Sequence, residues 1–585
     1  MAGARAAGPA DFARLARGIL RQRFLRAGAY QLPLAYVAAA AGNVSVRHGL
    51  ASVAYALVSP ATLAHTAAAY VAGVAALAVH ARMYSVTRTA HGSHFPGLQR
   101  LLRRPAGTGA AVGVYAAAAV FQLAVHGRAF GGGAARMWLH PEGHYGPPQL
   151  NPAWLASWLF ALAVGARYAA QLVADERLQL AFPAVEQGRV HALKDRLPRA
   201  FSYAAGFAGG VLAQFWVAYL VFGWGVYHAV CGALARVFST SSYAVGSPLF
   251  SVAVLLFWLR SGTLMVLTWE LAHQLFEVVV TEPTHINELS LDRNLCLANG
   301  LKCADDPLIQ HLAYQELYRL TAFSPEQRAE ILADIDRASG TMWAEMSGQC
   351  LAVISAATEQ LRAHAPAPPK GAASGAAASA AAAGGGRKGP DQGVSLKAGG
   401  APMRDILLQS RKTAAATGPR SSVVAKPLPP PGAGASELFV VESQGLEKYV
   451  LTAVRDVLLR SAVGQRIMSR SQRARSISTF ANFQQQVWAV RSLVRLVECS
   501  VREDQYGVVQ GDIGAVLDVL FAYLVELEAC AARDAHTGGG QATAMIQVLR
   551  TSLYAFTTTF YEHLEALRLP PAQARQLQRF ADFRA

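Results

Sequence analysis

The chain has 585 residues, of which 53% are hydrophobic and only 15% are charged. Because soluble domains are about 25% charged, this composition excludes an ordinary soluble protein and indicates a membrane protein. The net charge of +16 is compatible with nucleic acid or with an anionic membrane surface as a partner, so the placement of the charges has to decide. The six cysteines form no CxxC pair, which predicts free thiols and disfavours a metal or disulfide role.

The first half of the chain contains six apolar stretches, each long enough for the roughly 20 residues that cross a bilayer. The first is the weakest, because Gln31, Pro33 and Asn43 interrupt it. It is expected to act as an uncleaved first span, since no signal-peptide processing site follows it. The predicted spans are 27–46, 61–81, 107–127, 152–173, 203–225 and 251–276.

Positive charge predicts the orientation of these spans, because Lys and Arg favour the cytosolic side. Sixteen Lys and Arg residues lie before the first span and in the loops after the second and fourth spans. The alternate loops hold four, namely Arg47, Arg128, Arg136 and Arg236. Both termini are therefore expected on the cytosolic side, together with everything after residue 277.

Three charged residues fall within the predicted spans, where a functional role is the default hypothesis. Arg167 lies near the cytosolic end of its span, and its long side chain is expected to reach that interface. Arg260 and Glu270 lie in the last span and either line a transport path or satisfy polar groups between helices. A pair of Gly/Pro-broken spans, as expected for a secondary transporter, is not evident.

The stretch DPLIQHLAYQELYRLTAFSPEQRAEIL, which begins at Asp306, has the pattern of two soluble helices. Asp306 is suited to the N-cap of the first helix and Pro307 to its first position. Ser324-Pro325-Glu326-Gln327 has the pattern of a capping box. A third helix is predicted for residues 342–361. The apolar face of the first helix consists of Ile309, Leu312, Ala313, Leu317 and Leu320.

Residues 365–436 are rich in Ala, Gly, Pro and Ser, which predicts a disordered linker. As a flexible coil, it has a root-mean-square reach of roughly 45–50 Å, enough to let a distal domain extend to a scaffold. Helical patterning returns at 437, with apolar stripes in 446–458 and 487–497 and later helices at 511–532 and 541–567. The stripes either pack in a helical bundle or lie on a membrane surface.

A basic, serine-bearing patch precedes the second stripe. It is either a binding site for acidic lipid, a phosphorylation switch or a solvated loop. Nucleic-acid binding is disfavoured, because the patch carries no interleaved aromatics on which bases would stack. Its residues are Arg466, Arg470, Ser471, Arg473, Arg475 and Ser476.

The sequence lacks a Gly-rich phosphate loop, metal-ligand spacing and a nucleophile elbow. We therefore expect no enzymatic activity, no cofactor, no metal and no small-molecule substrate. A transporter or channel that uses Arg260 and Glu270 is the alternative. A lipid-modifying enzyme would need a polar cluster at a membrane face, which the sequence does not show.

Four motifs in a fixed order resemble those of one family. The first runs from Phe182 to Arg189 and contains Pro183 and Gln187. The second contains Asp306, Pro307, Gln310, His311, Leu312, Gln315 and Leu317, followed by Ser324 and Arg328. The third contains Glu503, Asp504, Gly507 and Gln510. The fourth contains Thr558, Thr559 and Phe560 and closes with Leu577-Gln578-Arg579-Phe580.

With these motifs the chain resembles the six-span transmembrane nucleoporins of the Ndc type. The resemblance extends over most of the chain outside the linker. The sequence departs from the family at Arg260, where members usually carry an apolar or small residue, and in its Ala-rich early spans. These departures concern the packing of the bundle.

The resemblance implies a non-enzymatic anchor in the nuclear pore membrane that helps to insert pore complexes into the nuclear envelope. It implies as partners the nuclear membrane bilayer and inner-ring nucleoporins, including one with an RRM-like domain, and aladin. Residues 437–585 are then expected to be the main docking module, and the hairpin at 306–331 a rigid support at the membrane exit. Both termini would face the cytosol or the pore.

The predicted fold class is all-α: a polytopic six-helix transmembrane bundle followed by a cytosolic α-helical domain interrupted by a disordered linker. The expected segments are a basic N-terminus, the bundle, a membrane-proximal helical segment, the linker and a C-terminal helical domain. Their boundaries are 1–26, 27–276, 277–364, 365–436 and 437–585.

Overall fold

The computed structural model describes a helical protein, and all the residues described below belong to one compact unit. The residues described are 12–44, 49–87, 101, 105–130, 132–139, 149–183, 188–236, 248–337, 340–364, 480–533, 540–563, 575 and 577–580.

These residues form helices and one two-stranded antiparallel sheet, in which β1 (Trp138–Leu139) pairs with β2 (Gln149–Leu150). The helices are α1 (Phe12–Asn43), α2 (Gly49–Val58), α3 (Pro60–Met83), α4 (Pro105–Phe130), α5 (Pro152–Ala174), α6 (Arg189–Ala235), α7 (Val252–Val280), α8 (Arg293–Leu301), α9 (Pro307–Phe323), α10 (Pro325–Ala333), α11 (Met342–His364), α12 (Phe483–Glu503), α13 (Ile513–Arg533) and α14 (Gly540–Thr559).

Five of the described helices, α3 to α7, are long and apolar enough to cross a membrane. They correspond to the second to sixth predicted spans, so the expectation of a polytopic helical protein is confirmed. Helix α6 has 47 residues, which at about 1.5 Å per residue makes it roughly 70 Å long. It is more than twice as long as the hydrocarbon core of a bilayer is thick, about 30 Å.

Helix α1 contains the weak first apolar stretch and is not among these five helices. The residues that interrupt the apolar stretch do not break the helix, which continues through Pro33 as far as Asn43. Its polar residues contact α3: the Asn43 amide donates to Thr62 Oγ1 at 2.8 Å, and Asn43 Oδ1 lies 3.1 Å from His65 Nδ1. Asn43, one of the polar residues that weaken the apolar pattern, therefore bonds within the protein.

The bundle core is built from α1 and α3 to α7 and contains several buried aromatic rings. The Tyr115 ring lies edge-on to those of Tyr168 and Trp269, with centroids 5.1 and 5.2 Å away. Helices α4 and α5 approach closely at Gly165, where an added Cβ would lie 2.5 Å from the carbonyl oxygen of Tyr115. Small residues at such positions let helix backbones pack closely in a bilayer.

A second core is formed by α8 to α14, which we call the platform, together with the first turns of α1. We expected residues 437–585 to extend from the linker as a separate domain. Instead, Trp488 and Val490 of α12 lie in the same core as Ile309 of α9 and Ile354 of α11. The physical reason is that the second apolar stripe covers the apolar faces of α9 and α11.

Candidate functional site

Helix α9 lies where the bundle meets the platform. The Asp306 carboxylate accepts the Leu308 backbone N–H at 3.2 Å, and Pro307 occupies the first helical turn, so the predicted start of the helix is confirmed. Leu308 and Leu312 belong to the bundle core. A neighbouring face of α9, with Ile309, Ala313 and Leu317, belongs to the platform core. This helix is therefore buried on two sides and is shared by both cores.

Three aromatic side chains connect the loop after α5 to α9 and α12. The Phe182 ring is stacked on His311 with centroids 6.1 Å apart, and it meets Trp488 edge-on at 5.3 Å. His311 Nδ1 donates to the carbonyl oxygen of Pro307 at 2.7 Å. Burial lowers the His311 pKa to about 4, so the ring is neutral at physiological pH and packs as an aromatic group.

A pocket of about 290 Å³ opens beside these rings. Phe182 and His311 line it on one side, and Phe480, Asn482 and Phe483, at the start of α12, line it on another. The first and second motifs, which are separated by more than 100 residues in the sequence, therefore meet in space.

The second and third motifs meet through an ion pair between α10 and α12. The Arg328 guanidinium donates to both Glu503 carboxylate oxygens, at 3.0 and 2.8 Å, and to the carbonyl oxygen of Thr321 at 2.9 Å. The hydrogen bond to Glu503 is the largest cause that raises the Arg328 pKa. Ser324 is the N-cap of α10, but its side chain makes no capping bond. The capping-box hydrogen bond that we predicted is therefore wrong, and Arg328 instead connects this turn to α12.

The third motif forms the turn between α12 and α13. The Asp504 carboxylate accepts the backbone N–H groups of Tyr506 at 3.2 Å and Val509 at 2.9 Å. Gly507 has a φ of +67°, a left-handed conformation that favours glycine, and the Gln510 side chain lies beside it. Gly507 is therefore a turn residue.

Other motif residues in the described part of the chain are hydrogen-bonded, stacked or buried within the protein. Gln310 donates to the carbonyl oxygen of Leu301 at 3.0 Å, and Gln315 is buried in α9. Thr558 and Thr559 donate to carbonyl oxygens one turn earlier in α14. Phe560 stacks on Phe556 at 4.6 Å.

Pro183 is the last residue described before the gap at 184–187, and it is exposed. Gln187 and the basic patch of Arg466, Arg470, Ser471, Arg473, Arg475 and Ser476 lie outside the described residues, as does the stripe at 446–458.

The charges of the predicted spans are engaged between helices. Arg177 donates to both oxygens of Glu270 at 2.7 Å, and Arg260 donates to the carbonyl oxygen of Gly42. Arg167 donates to Gln214 on α6 at 2.7 Å. Sequence reasoning missed Arg177 as a partner, because it lies 93 residues before Glu270 and was counted only as a loop charge.

Ion pairs and hydrogen bonds connect α1, α6 and α7 at the end of the bundle that meets the platform. Arg23 of α1 donates to the carbonyl oxygens of Val280 and Pro283, both at 2.9 Å, and so caps the C-terminus of α7. Arg196 of α6 pairs with Glu277 of α7 at 2.9 Å.

All six cysteines are free thiols, as predicted. Over the described ranges, no cluster of three His, Cys, Asp or Glu residues is arranged to hold a metal ion.

Comparison with known proteins identifies the family. The model of the family described as "Nucleoporin protein Ndc1-Nup" matches residues 18–578. The chain belongs to the Ndc1-Nup family. The resemblance inferred from the four motifs is thereby confirmed.

Curated relatives in this family are distant in sequence. Nucleoporin NDC1 of Xenopus laevis is 25% identical over 400 residues, which cover 56% of this chain and 60% of the relative. Nucleoporin NDC1 of Danio rerio is 24% identical and that of Homo sapiens 21%, each over 55% of this chain and over 60% and 59% of the relative. The match spans about 60% of the length of these relatives.

Proposed function

We propose that this Ndc1-Nup chain is a non-enzymatic membrane anchor of the nuclear pore complex. It would sit in the pore membrane of the nuclear envelope, tether soluble inner-ring nucleoporins and aid the insertion of pore complexes. Family membership, the five apolar helices and the helical platform support this proposal.

The observation that carries the proposal is the double burial of α9. An anchor must transmit a load from its docking surface to its membrane part without a flexible joint. Helix α9 contributes Leu312 to the bundle core and Leu317 to the platform core, so a load on the platform passes through a packed helix. The Phe182–His311 stack reinforces the same junction, and the Arg328–Glu503 pair connects α10 to α12 within the platform.

We infer further that α1 supplies a sixth span and that both termini lie on the platform side of the membrane. Helix α1 packs against α3 and α7, and its Asn43 side chain bonds to Thr62 of α3. We assign the platform as the docking region for the RRM-like inner-ring nucleoporin and for aladin. Its apolar side chains that remain exposed include Leu291, Phe323 and Tyr506.

The test is the location of a full-length, C-terminally tagged protein in cells that also carry a pore marker. The proposal expects a punctate nuclear rim that coincides with the pores. Uniform signal over the plasma membrane or another organelle would overturn it. The alternative of a transporter or channel is not favoured, because Glu270 and Arg260 already bond to Arg177 and Gly42.

A further inference from the structure

Helix α6 begins with a strip of exposed residues beside the face that packs on α7. Val190, Lys194, Leu197 and Phe201 follow the spacing i, i+4, i+7 and i+11, which places them along one side of a helix. The adjacent side is engaged, since Arg196 bonds to Gln274 and Glu277 of α7. Val190 is 82% and Phe201 57% exposed.

Helix α1 runs beside this strip in the same direction, from the platform end into the bundle. Arg189 at the start of α6 bonds to the Tyr30 hydroxyl of α1 at 3.4 Å. Deeper in the bundle, Ala38 of α1, Ala200 of α6 and Leu271 of α7 form a small buried cluster. Both helices are therefore supported by α7, and this cluster forms the floor between them.

The exposed side chains of the two helices are ordered by depth. Arg26 of α1 and Lys194 of α6 lie towards the platform end, whereas Val37 and Phe201 lie deeper along the same helices. Eleven residues separate Arg26 from Val37, which corresponds to about 16 Å of helix, and seven separate Lys194 from Phe201, about 10 Å. On each helix a cation is thus followed by deeper apolar side chains, in the order of a headgroup and its acyl chains, and Val190 is the apolar residue of the α6 strip that lies on the platform side of Lys194.

The charge balance at the mouth is positive. Glu282 is engaged by Arg189, whereas neither Arg26 nor Lys194 has an ion-pair partner among the residues the structure describes. A phosphate-bearing, net-negative headgroup complements two such cations. The exposed walls would contact acyl chains, and the charged mouth would lie at the level of the headgroups.

We propose that α1 and α6 form a binding site for one anionic phospholipid, with its headgroup held by Arg26 and Lys194 and its chains against Val37, Leu197 and Phe201. The lipid would hold α1 against the bundle. It would also cover the exposed apolar residues of α6 that precede the predicted span at 203–225. The proposal concerns the purified protein and does not depend on the pore function.

The test is native mass spectrometry of the full-length protein in mild detergent. It compares the binding of phosphatidylserine with that of phosphatidylcholine carrying the same acyl chains. The site variant is Arg26→Gln with Lys194→Gln. The matched control is Arg17→Gln with Arg21→Gln, which removes the same charge from exposed positions on another side of α1.

The wild type is expected to prefer phosphatidylserine, and the site variant to weaken that binding roughly ten- to thirty-fold. The control variant should change it by less than about two-fold. The charge-preserving variant Arg26→Lys with Lys194→Arg should restore the preference, and Phe201→Ala should weaken the binding of both lipids.

Three outcomes would overturn the proposal. Equal losses in the site and control variants would show diffuse charge attraction. An unchanged preference in the site variant would exclude Arg26 and Lys194. Complete displacement of the lipid by soluble glycerophosphoserine would show that the phosphate group alone is bound and that the apolar walls contribute nothing.

Discussion

Glu316 is a carboxyl group buried in the platform, on helix α9. Its Oε1 accepts the backbone N–H of Asn287 at 2.9 Å, and burial is the main cause that raises its pKa from 4.5 to about 8. The group therefore stays protonated in the folded protein at neutral pH, whereas it ionises in the unfolded chain. Between about pH 4.5 and pH 8 the folded state binds more protons, so its stability falls as the pH rises.

Glu316→Gln is expected to remove this pH dependence. The variant should match the wild type near pH 5 and be more stable at pH 8, by on the order of 1–3 kcal/mol. Thermal unfolding of the full-length protein in detergent between pH 5 and pH 8.5 measures the difference. Glu330→Gln, at an exposed position on α10, is the control, and a variant curve parallel to the wild type would contradict the assignment.

Arg328 and Glu503 provide the second test at the residue scale. Their side chains are only 7% and 19% exposed, so Arg328→Ala leaves a largely buried carboxylate without its partner. We expect a loss of about 2–4 kcal/mol in the free energy of unfolding. Arg362, which pairs with Glu526 but is 56% exposed, is the comparison: Arg362→Ala should cost less than about 1 kcal/mol.

Denaturant unfolding followed by near-UV circular dichroism measures both variants. Equal, small effects would show that the Arg328 pair contributes no more than a surface pair.

Ion pairs between residues far apart in the chain were not predicted from the sequence. Arg328 and Glu503 are 175 residues apart and Arg177 and Glu270 are 93 apart, and local periodicity carries no information about such pairs.

At the scale of single elements, the sequence predicted well what depends on neighbours along the chain. The cap at Asp306, the apolar face of α9 and the stripe on α12 follow from helical spacing and local hydrogen bonding. The stripe pattern did not tell whether α12 covers a membrane or another helix, because both present the same apolar environment. The double burial of α9 was likewise not predictable, since it depends on the position of two distant segments.

The close approach of α4 and α5 makes a prediction at this scale. Gly165→Ala would place a Cβ 2.5 Å from the carbonyl oxygen of Tyr115 and force the two helices apart. We expect a loss of roughly 1–3 kcal/mol, seen as a lower melting temperature and a broader size-exclusion profile in detergent. Gly209→Ala on α6 is the matched control, because a Cβ there meets nothing within 4 Å.

If Gly165→Ala and Gly209→Ala melted together, the contact between α4 and α5 would not limit the stability of the bundle. A lower melting temperature only for Gly165→Ala would show that the early Ala-rich helices depend on backbone approach. This distinction matters because small side chains alone do not specify which helix pairs come together.

At the scale of the whole molecule, the platform is made from two parts of the chain that the linker separates in sequence. Residues of α9 and α11 before it and of α12, α13 and α14 after it share one core. Deletion of 437–585 would therefore strip the cover from α9 and α11 and unfold what remains. A loss of partner recruitment in that deletion variant would therefore result equally from misfolding or from removal of the docking surface.

Deletion of 365–446 separates the two causes. It removes the Ala/Gly/Pro/Ser-rich segment and the ten residues that follow it, all of which lie outside the described residues. The 33 residues from 447 to 479 can still span roughly 110 Å when extended, ample to connect α11 with α12. If the platform is the docking surface, this variant should keep its melting temperature, its rim localisation and its recruitment of inner-ring nucleoporins. Unchanged melting with lost recruitment would place docking in the linker and contradict the assignment to the platform.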